Sequence, residues 1–205
     1  AQAVAIKDGL FVAVGSKQEI STLAGPNTIT TNLGGKMAMP GLVDGHVHSS
    51  RGGLKELFEC NFSFTATPEQ IQVRVAECVK NNPDAVWIRG GQWDSGFFER
   101  FDIASPREFL DQVSGDKAVL LADDSNHNGW ANSKALALHG IDVNTPDLSD
   151  GTYVRDENGN PNGILLESAE QSMYTALPAW TEAQMKTAAA RGVEIANSFG
   201  ITAMK

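Results

Sequence analysis

His46 and His48 stand one residue apart in the run Pro40-Gly41-Leu42-Val43-Asp44-Gly45-His46-Val47-His48. Leu42-Val43 opens a strand that is expected to continue to His48. Side chains alternate along a strand, so Asp44, His46 and His48 would share one face. Two imidazoles on one face at a strand end can chelate a single cation, with Zn–N distances of about 2.0–2.1 Å. A bare His-x-His is a weak signal, but its setting sharpens this one. A Pro-Gly turn precedes it, an apolar strand leads into it, and a polar, glycine-rich stretch, Ser49-Ser50-Arg51-Gly52-Gly53, follows. Two of the four histidines are spent here. Asp44 either orients a ligand from behind or fixes the strand end through a hydrogen bond.

Other residues follow apolar runs in the same way. His127 comes after Ala118–Ala122 and shortly before Trp130. It can contact a substrate or stabilise a developing oxyanion, or it can anchor its own loop. Trp93 and Asp94 come after Ala85–Ile88 and could line a pocket, with plain packing the alternative for Trp93. His139 precedes Gly140 at an expected helix end, where a partial positive charge suits the dipole. Cys60 and Cys78 do not make a disulfide framework, and free thiols are expected. Cys78 falls on the apolar side of a helix.

The elements that must position these groups change character near residue 40. Residues 1–39 read as β. Val4–Lys7 and Leu10–Val14 flank Asp8-Gly9, which suits a tight hairpin, and a third strand is expected around Thr28–Thr31. This segment is too short to build a core by itself. From residue 40 strands alternate with helices. Thr67-Pro68-Glu69-Gln70, Ser105-Pro106-Arg107-Glu108 and Thr181-Glu182-Ala183-Gln184 all have the form of capping boxes. Asn132-Ser133 opens a short helix. Ala118–Ala122 is apolar throughout, as a strand covered on both faces should be. A β-hairpin over about 151–167 interrupts the alternation, with dense turn residues between Arg155 and Ile164. Ile201–Lys205 begins a fourth strand.

Repeated strand–helix units imply a parallel sheet flanked by helices. The chain is therefore expected to be α/β, either an open doubly wound sheet or about the first four strands of a (β/α)₈ barrel. Its 205 residues carry 16 Lys and Arg against 25 Asp and Glu, a net charge of −9. That balance argues against a nucleic-acid backbone or an anionic membrane as main partner. No apolar run approaches the ~20 residues of a membrane span. No intact signal peptide is visible. An already processed chain would look the same, so the compartment stays unknown with the cytoplasm favoured; a small-molecule substrate is the expected partner, with a homo-oligomer left open.

The run ending in Asp44-Gly45-His46-Val47-His48 resembles the first-strand signature of the metal-dependent amidohydrolase superfamily. Further stretches resemble its amidohydrolase-3 branch: Trp87-Ile88-Arg89-Gly90-Gly91-Gln92-Trp93-Asp94, His127-Asn128-Gly129-Trp130-Ala131-Asn132-Ser133-Lys134-Ala135-Leu136, the hairpin up to Glu167, and Gly200-Ile201-Thr202. The resemblance implies a (β/α)₈ barrel, a TIM barrel, beside a small β-sandwich. Residues 1–39 would belong to the sandwich and 40–205 to the first half of the barrel, so that the chain is a fragment of a longer one. It implies one or two divalent ions, zinc first, held in part by His46 and His48. It also implies hydrolysis of an amide, formamide or related C–N bond by metal-activated water, with a proton shuttle beyond Lys205. Two residues compete for the bridging ligand. Lys205 ends the expected fourth strand, where some members carry a carboxylated lysine. Glu167 needs no modification, and otherwise would favour a helix start. A non-catalytic relative that keeps the fold as a scaffold is the alternative. An unrelated open α/β binding domain is the third, weakened by the poor phosphate loop that Ser50-Arg51-Gly52-Gly53 would make.

Overall fold

Asp8 and Gly9 both adopt positive φ (53° and 77°), and this tight turn joins β1 (Ala3–Lys7) to β2 (Leu10–Gly15) as an antiparallel hairpin. α1 (Lys17–Ser21) follows with a complete Ser16–Glu19 capping box. The computed structural model describes all 205 residues, in two units, Ala1–Gly41 and Leu42–Lys205. In the first unit no strand forms at Thr28–Thr31. Ile6, Leu10, Phe11, Val12 and Val14 stay exposed, as a two-stranded sheet without a covering layer requires.

The second unit begins with β3 (Leu42–Asp44), α2 (Ser49–Phe58), β4 (Cys60–Asn61) and α3 (Pro68–Asn81). Next come β5 (Trp87–Trp93), α4 (Phe97–Arg100), α5 (Pro106–Ser114), β6 (Ala118–Asp123), β7 (Asn128–Ala131) and α6 (Ser133–Leu138). The hairpin β8 (Gly151–Arg155) and β9 (Pro161–Glu167) leads to α7 (Ser168–Tyr174), α8 (Glu182–Ser198) and β10 (Ile201–Met204). Six strands form one sheet in the order β4-β5-β6-β7-β9-β8. β4, β5 and β6 are parallel, and the remaining pairings are antiparallel. The hairpin is therefore an extension of this sheet through β9, not a separate excursion.

The strand expected to be fourth is not fourth in space. β10 pairs in parallel with β3, apart from the six-stranded sheet. Four barrel strands side by side are thus not what forms, and neither sheet closes. The reason lies in α2 and α8. A Cβ at Gly53 would collide with the backbone of Ala188, and one at Gly192 with the backbone of Ser49. Only glycine lets the two helices approach this closely. Arg191 then clamps Glu56 through two hydrogen bonds of 2.7 Å. With α8 held on α2, the chain leaving α8 falls beside β3.

The core gathers on Trp130, which is fully buried. Its indole nitrogen donates to Pro106 O at 2.8 Å, and Phe97, Phe98, Phe109 and Trp93 pack around the ring at centroid distances of 4.9–6.4 Å. Thr67 and Thr181 cap their helices with full boxes, and Asn132 caps α6. Ser105 does not form the expected box. Its ψ of 97° departs from the 164° and 156° at the two threonine caps, so its hydroxyl misses the helix, and Glu108 leans toward Arg107 at 3.7 Å instead.

The expected free thiols are a second correction. Cys60 and Cys78 form a disulfide. Cys78 does face the apolar side of α3, but β4 lies against that side. The Cα atoms come within 5.9 Å, inside the range of about 4.4–6.8 Å that a disulfide needs.

Candidate functional site

β3 stops at Asp44 and does not run through to His48. The Asp44 carboxylate turns back and accepts the His46 backbone N–H at 3.0 Å, so the chain leaves the strand in an Asx turn. His48 then occupies the N-cap position of α2 without donating or accepting a side-chain cap bond. The two rings still meet, with centroids 5.3 Å apart and planes at 88°. Imidazoles sharing a tetrahedral zinc at about 2.0–2.1 Å would have centroids about 5 Å apart. The observed separation is close to that value. Both residues are exposed, and no third His, Cys, Asp or Glu completes a cluster around them. Lys205 adjoins this loop by its backbone: its N–H donates to Asp44 O at 3.0 Å, and its carbonyl accepts from Val47 N at 3.2 Å. Lys205 follows β10, the strand paired in parallel with β3.

A second group forms where β6 and β9, which run in the same sense, reach their C-terminal ends. The β7–β9 register places Asn128 opposite Leu166, so His127 meets Glu167 although 40 positions separate them. Their side chains bond at 2.8 Å (His127 Nδ1 to Glu167 Oε2), and Glu167 N donates to His127 O at 2.7 Å. The Glu167 carboxylate beside it raises the His127 imidazole above its ordinary range. Asn126 and Glu167 both hold positive φ, 60° and 53°, a conformation that non-glycine residues sustain only when surroundings enforce it.

For Asn126, Asp123 supplies that enforcement. It is fully buried at the end of β6. Its carboxylate accepts from Ser125 Oγ at 2.8 and 2.9 Å, from His127 N at 3.1 Å, and from Asn128 N and Nδ2 at 3.3 and 2.7 Å. Glu170, 3% exposed, lies beside it. Burial, opposed by Arg51 and reinforced by Asp123, pushes the Glu170 carboxyl up to about 7. From α2, Arg51 and Lys55 reach across to Asn126 Oδ1 at 3.3 and 3.1 Å. These contacts join the helix that starts at His48 to the loop carrying His127.

Trp93 is buried in the core and donates to Leu121 O at 3.0 Å, so it packs and does not line a pocket. Asp94 fixes its own turn, accepting from Gly96 N at 2.9 Å and pairing with Arg100 at 2.9 Å. Two surface clefts lie elsewhere, one beside Phe101, Ile103 and Ser105, the other beside Trp87, Arg89 and Trp180. Neither includes His46, His48, His127 or Glu167. In sequence Asp123, Glu170 and Lys55 carry no functional signal of their own, and Arg51 shows only as part of a polar, glycine-rich stretch. Asp123 could have been found as the single acid ending an otherwise apolar strand. Arg51 and Lys55 also form an i, i+4 pair of like charges.

The family described as the amidohydrolase family matches residues 30–205. Over 178 residues the chain is 33% identical to YtcJ of Bacillus subtilis, covering 86% of this chain and 33% of YtcJ. It is 32% identical, also over 178 residues, to the N-substituted formamide deformylase of Arthrobacter pascens, covering 86% of this chain and 32% of that protein. The chain thus spans about a third of the length of these relatives. In fold it is similar to an uncharacterised metal-dependent hydrolase from Pyrococcus horikoshii, with a TM-score of 0.61 and 21% identity over 98% of this chain and 38% of that one.

Proposed function

The chain belongs to the amidohydrolase family, and from that premise we propose that it contributes part of the metal centre of a hydrolase acting on an amide, formamide or related C–N bond. The observation that carries the reading is the His46–His48 pair, whose ring separation of 5.3 Å suits a single tetrahedral ion. A bound divalent ion, zinc by the nitrogen donors, would supply Lewis-acid activation of water and of the scissile carbonyl. His46 and His48 would hold it, and Asp44 would keep their loop folded back. His127, held protonated more readily by Glu167, is suited to donate toward a developing oxyanion. The bridging ligand would be Glu167, which needs no covalent change but is engaged by His127, or Lys205, whose backbone adjoins the histidine loop. The pairing of β3 with β10 supports the opening strands of a barrel, with the six-stranded sheet inserted between them. Further ligands and the proton shuttle would come from the length of the relatives that this chain does not span. The buried Cys60–Cys78 bond supports an oxidising compartment over the cytoplasm.

Elemental analysis of the full-length protein tests this. We expect at least one divalent ion per chain. In the His46→Ala/His48→Ala variant that ion is lost, amide hydrolysis falls more than 100-fold, and the circular dichroism spectrum is kept. Unchanged metal content in the variant would overturn the reading.

A further inference from the structure

Arg51 and Lys55 lie one turn apart on α2, and Arg51 sits in the first turn after His48. The two cations converge on one neutral atom, Asn126 Oδ1. No carboxylate lies within ion-pair distance of either, although the chain carries an excess of nine negative charges. The acids whose charge reaches them, Glu59, Asp123 and Glu170, are all buried, and burial pushes the Glu59 and Glu170 carboxyls up. Two like charges four residues apart on a helix repel. Lys55 shows the consequence: burial first, then Arg51, pulls its ammonium down.

A tether between α2 and the His127 loop would need one donor. The uncharged partners of Arg51 and Lys55 are Asn126 Oδ1 and the Tyr174 ring, whose centroid lies 5.6 Å from Arg51 Cζ, and five guanidinium and three ammonium N–H groups leave donors that a carboxylate is shaped to take. Arg51 offers a planar fork that matches a carboxylate in two parallel bonds, and Lys55 adds a point charge beside it. Asn126 Oδ1 already marks where an oxygen sits between them. Asp123 fixes that loop through its own hydrogen bonds, so the fold sets the acceptor position.

We propose that Arg51 and Lys55 form an anion-recognising subsite, so that the substrate whose C–N bond is cleaved carries a carboxylate near that bond. The substrate half of this statement rests on the hydrolase reading above; the anion subsite does not.

The test uses the full-length, metal-loaded protein and two substrates, N-formyl-phenylalanine and its uncharged counterpart N-formyl-phenethylamine. We expect wild type to prefer the acid in kcat/KM. In Arg51→Gln/Lys55→Met the acid-over-neutral ratio falls at least tenfold, mainly through KM for the acid. Arg51→Lys, which keeps the charge, retains part of the ratio, and the remote Lys186→Gln leaves it unchanged. A wild-type ratio at or below one, or an unchanged ratio in the double variant, overturns the substrate proposal. Calorimetric titration of benzoate and benzamide into metal-free protein reads the subsite without turnover. We expect benzoate to bind, benzamide not to, and the double variant to bind benzoate at least tenfold more weakly. Benzoate binding that needs both cations, with no turnover of either substrate, would remove the hydrolase reading and keep the subsite. Turnover without benzoate binding would do the reverse.

Discussion

Asp44 ends β3 and Asp123 ends β6, and each turns its carboxylate back on the loop that follows. Asp44 is half-buried and accepts one bond, from His46 N. Asp123 is fully buried and gathers the donors of Ser125, His127 and Asn128. The histidine loop is thus held by a single side-chain bond and by the backbone of Lys205, and both rings stay exposed. The loop carrying Asn126 and His127 is fixed by buried hydrogen bonds in a backbone conformation that costs energy. The contrast separates two ways of making a site. One stretch leaves its ring nitrogens exposed with little support, and the other spends buried polar groups on fixing its geometry.

Asp123→Ala should break the contrast most visibly. It would leave several donors unpaired beneath the sheet margin and cost about 3 kcal/mol or more, whereas Asp44→Ala should cost about 1 kcal/mol. Urea denaturation of both variants measures this, and equal losses would mean that the two loops are held alike.

Glu170→Gln sharpens the same point, because Glu170 is the acid buried beside the fixed loop. Below about pH 4.5 its carboxyl is protonated in folded and unfolded chains alike. As pH rises from 4.5 toward 7 the unfolded chain loses the proton and the folded chain keeps it, so stability falls through that window. Above 7 the loss is complete, on the order of 2–3 kcal/mol. The glutamine variant should lack this slope and melt several degrees higher at pH 8. A melting temperature that falls at pH 8 would show that the ionised carboxylate is instead a stabilising partner of Arg51.

The smallest effects concern helix ends that look alike in sequence. Thr181→Ala removes a cap bond to Gln184 N and should cost about 1 kcal/mol, while Ser105→Ala removes none and should stay within about 0.3 kcal/mol. Thermal melts of the two variants compare them directly.

Much of the local structure was legible because its causes are local. The Asp8-Gly9 turn, the Thr67 and Thr181 capping boxes, the hairpin near 151–167 and the apolar strand at 118–122 all form as their residues suggest. The Ser105 box failed because a cap depends on the backbone angle of a residue outside the helix, which α5's packing sets. The thiols of Cys60 and Cys78 were misread because side-chain character says nothing of which strand a helix face will meet. In the stretch from His127 to Leu136, much of what resembles a functional motif proves to be support. Trp130 fills the core, and the Asn132 side chain caps α6 while bonding Val119 N, Ser114 Oγ and Lys117 O.

The order of residues alone determined that two imidazoles follow an apolar strand, that helices and strands alternate after residue 40, and that the chain is acidic. Those properties depend on neighbours within a few positions. Which strand lies beside the first, which acid meets His127, and where Arg51 and Lys55 point were decided only in three dimensions. Close approach of α2 and α8 at Gly53 and Gly192, and the register of β7 on β9, bring together groups 40 to 160 positions apart, and no periodicity within one segment carries that information.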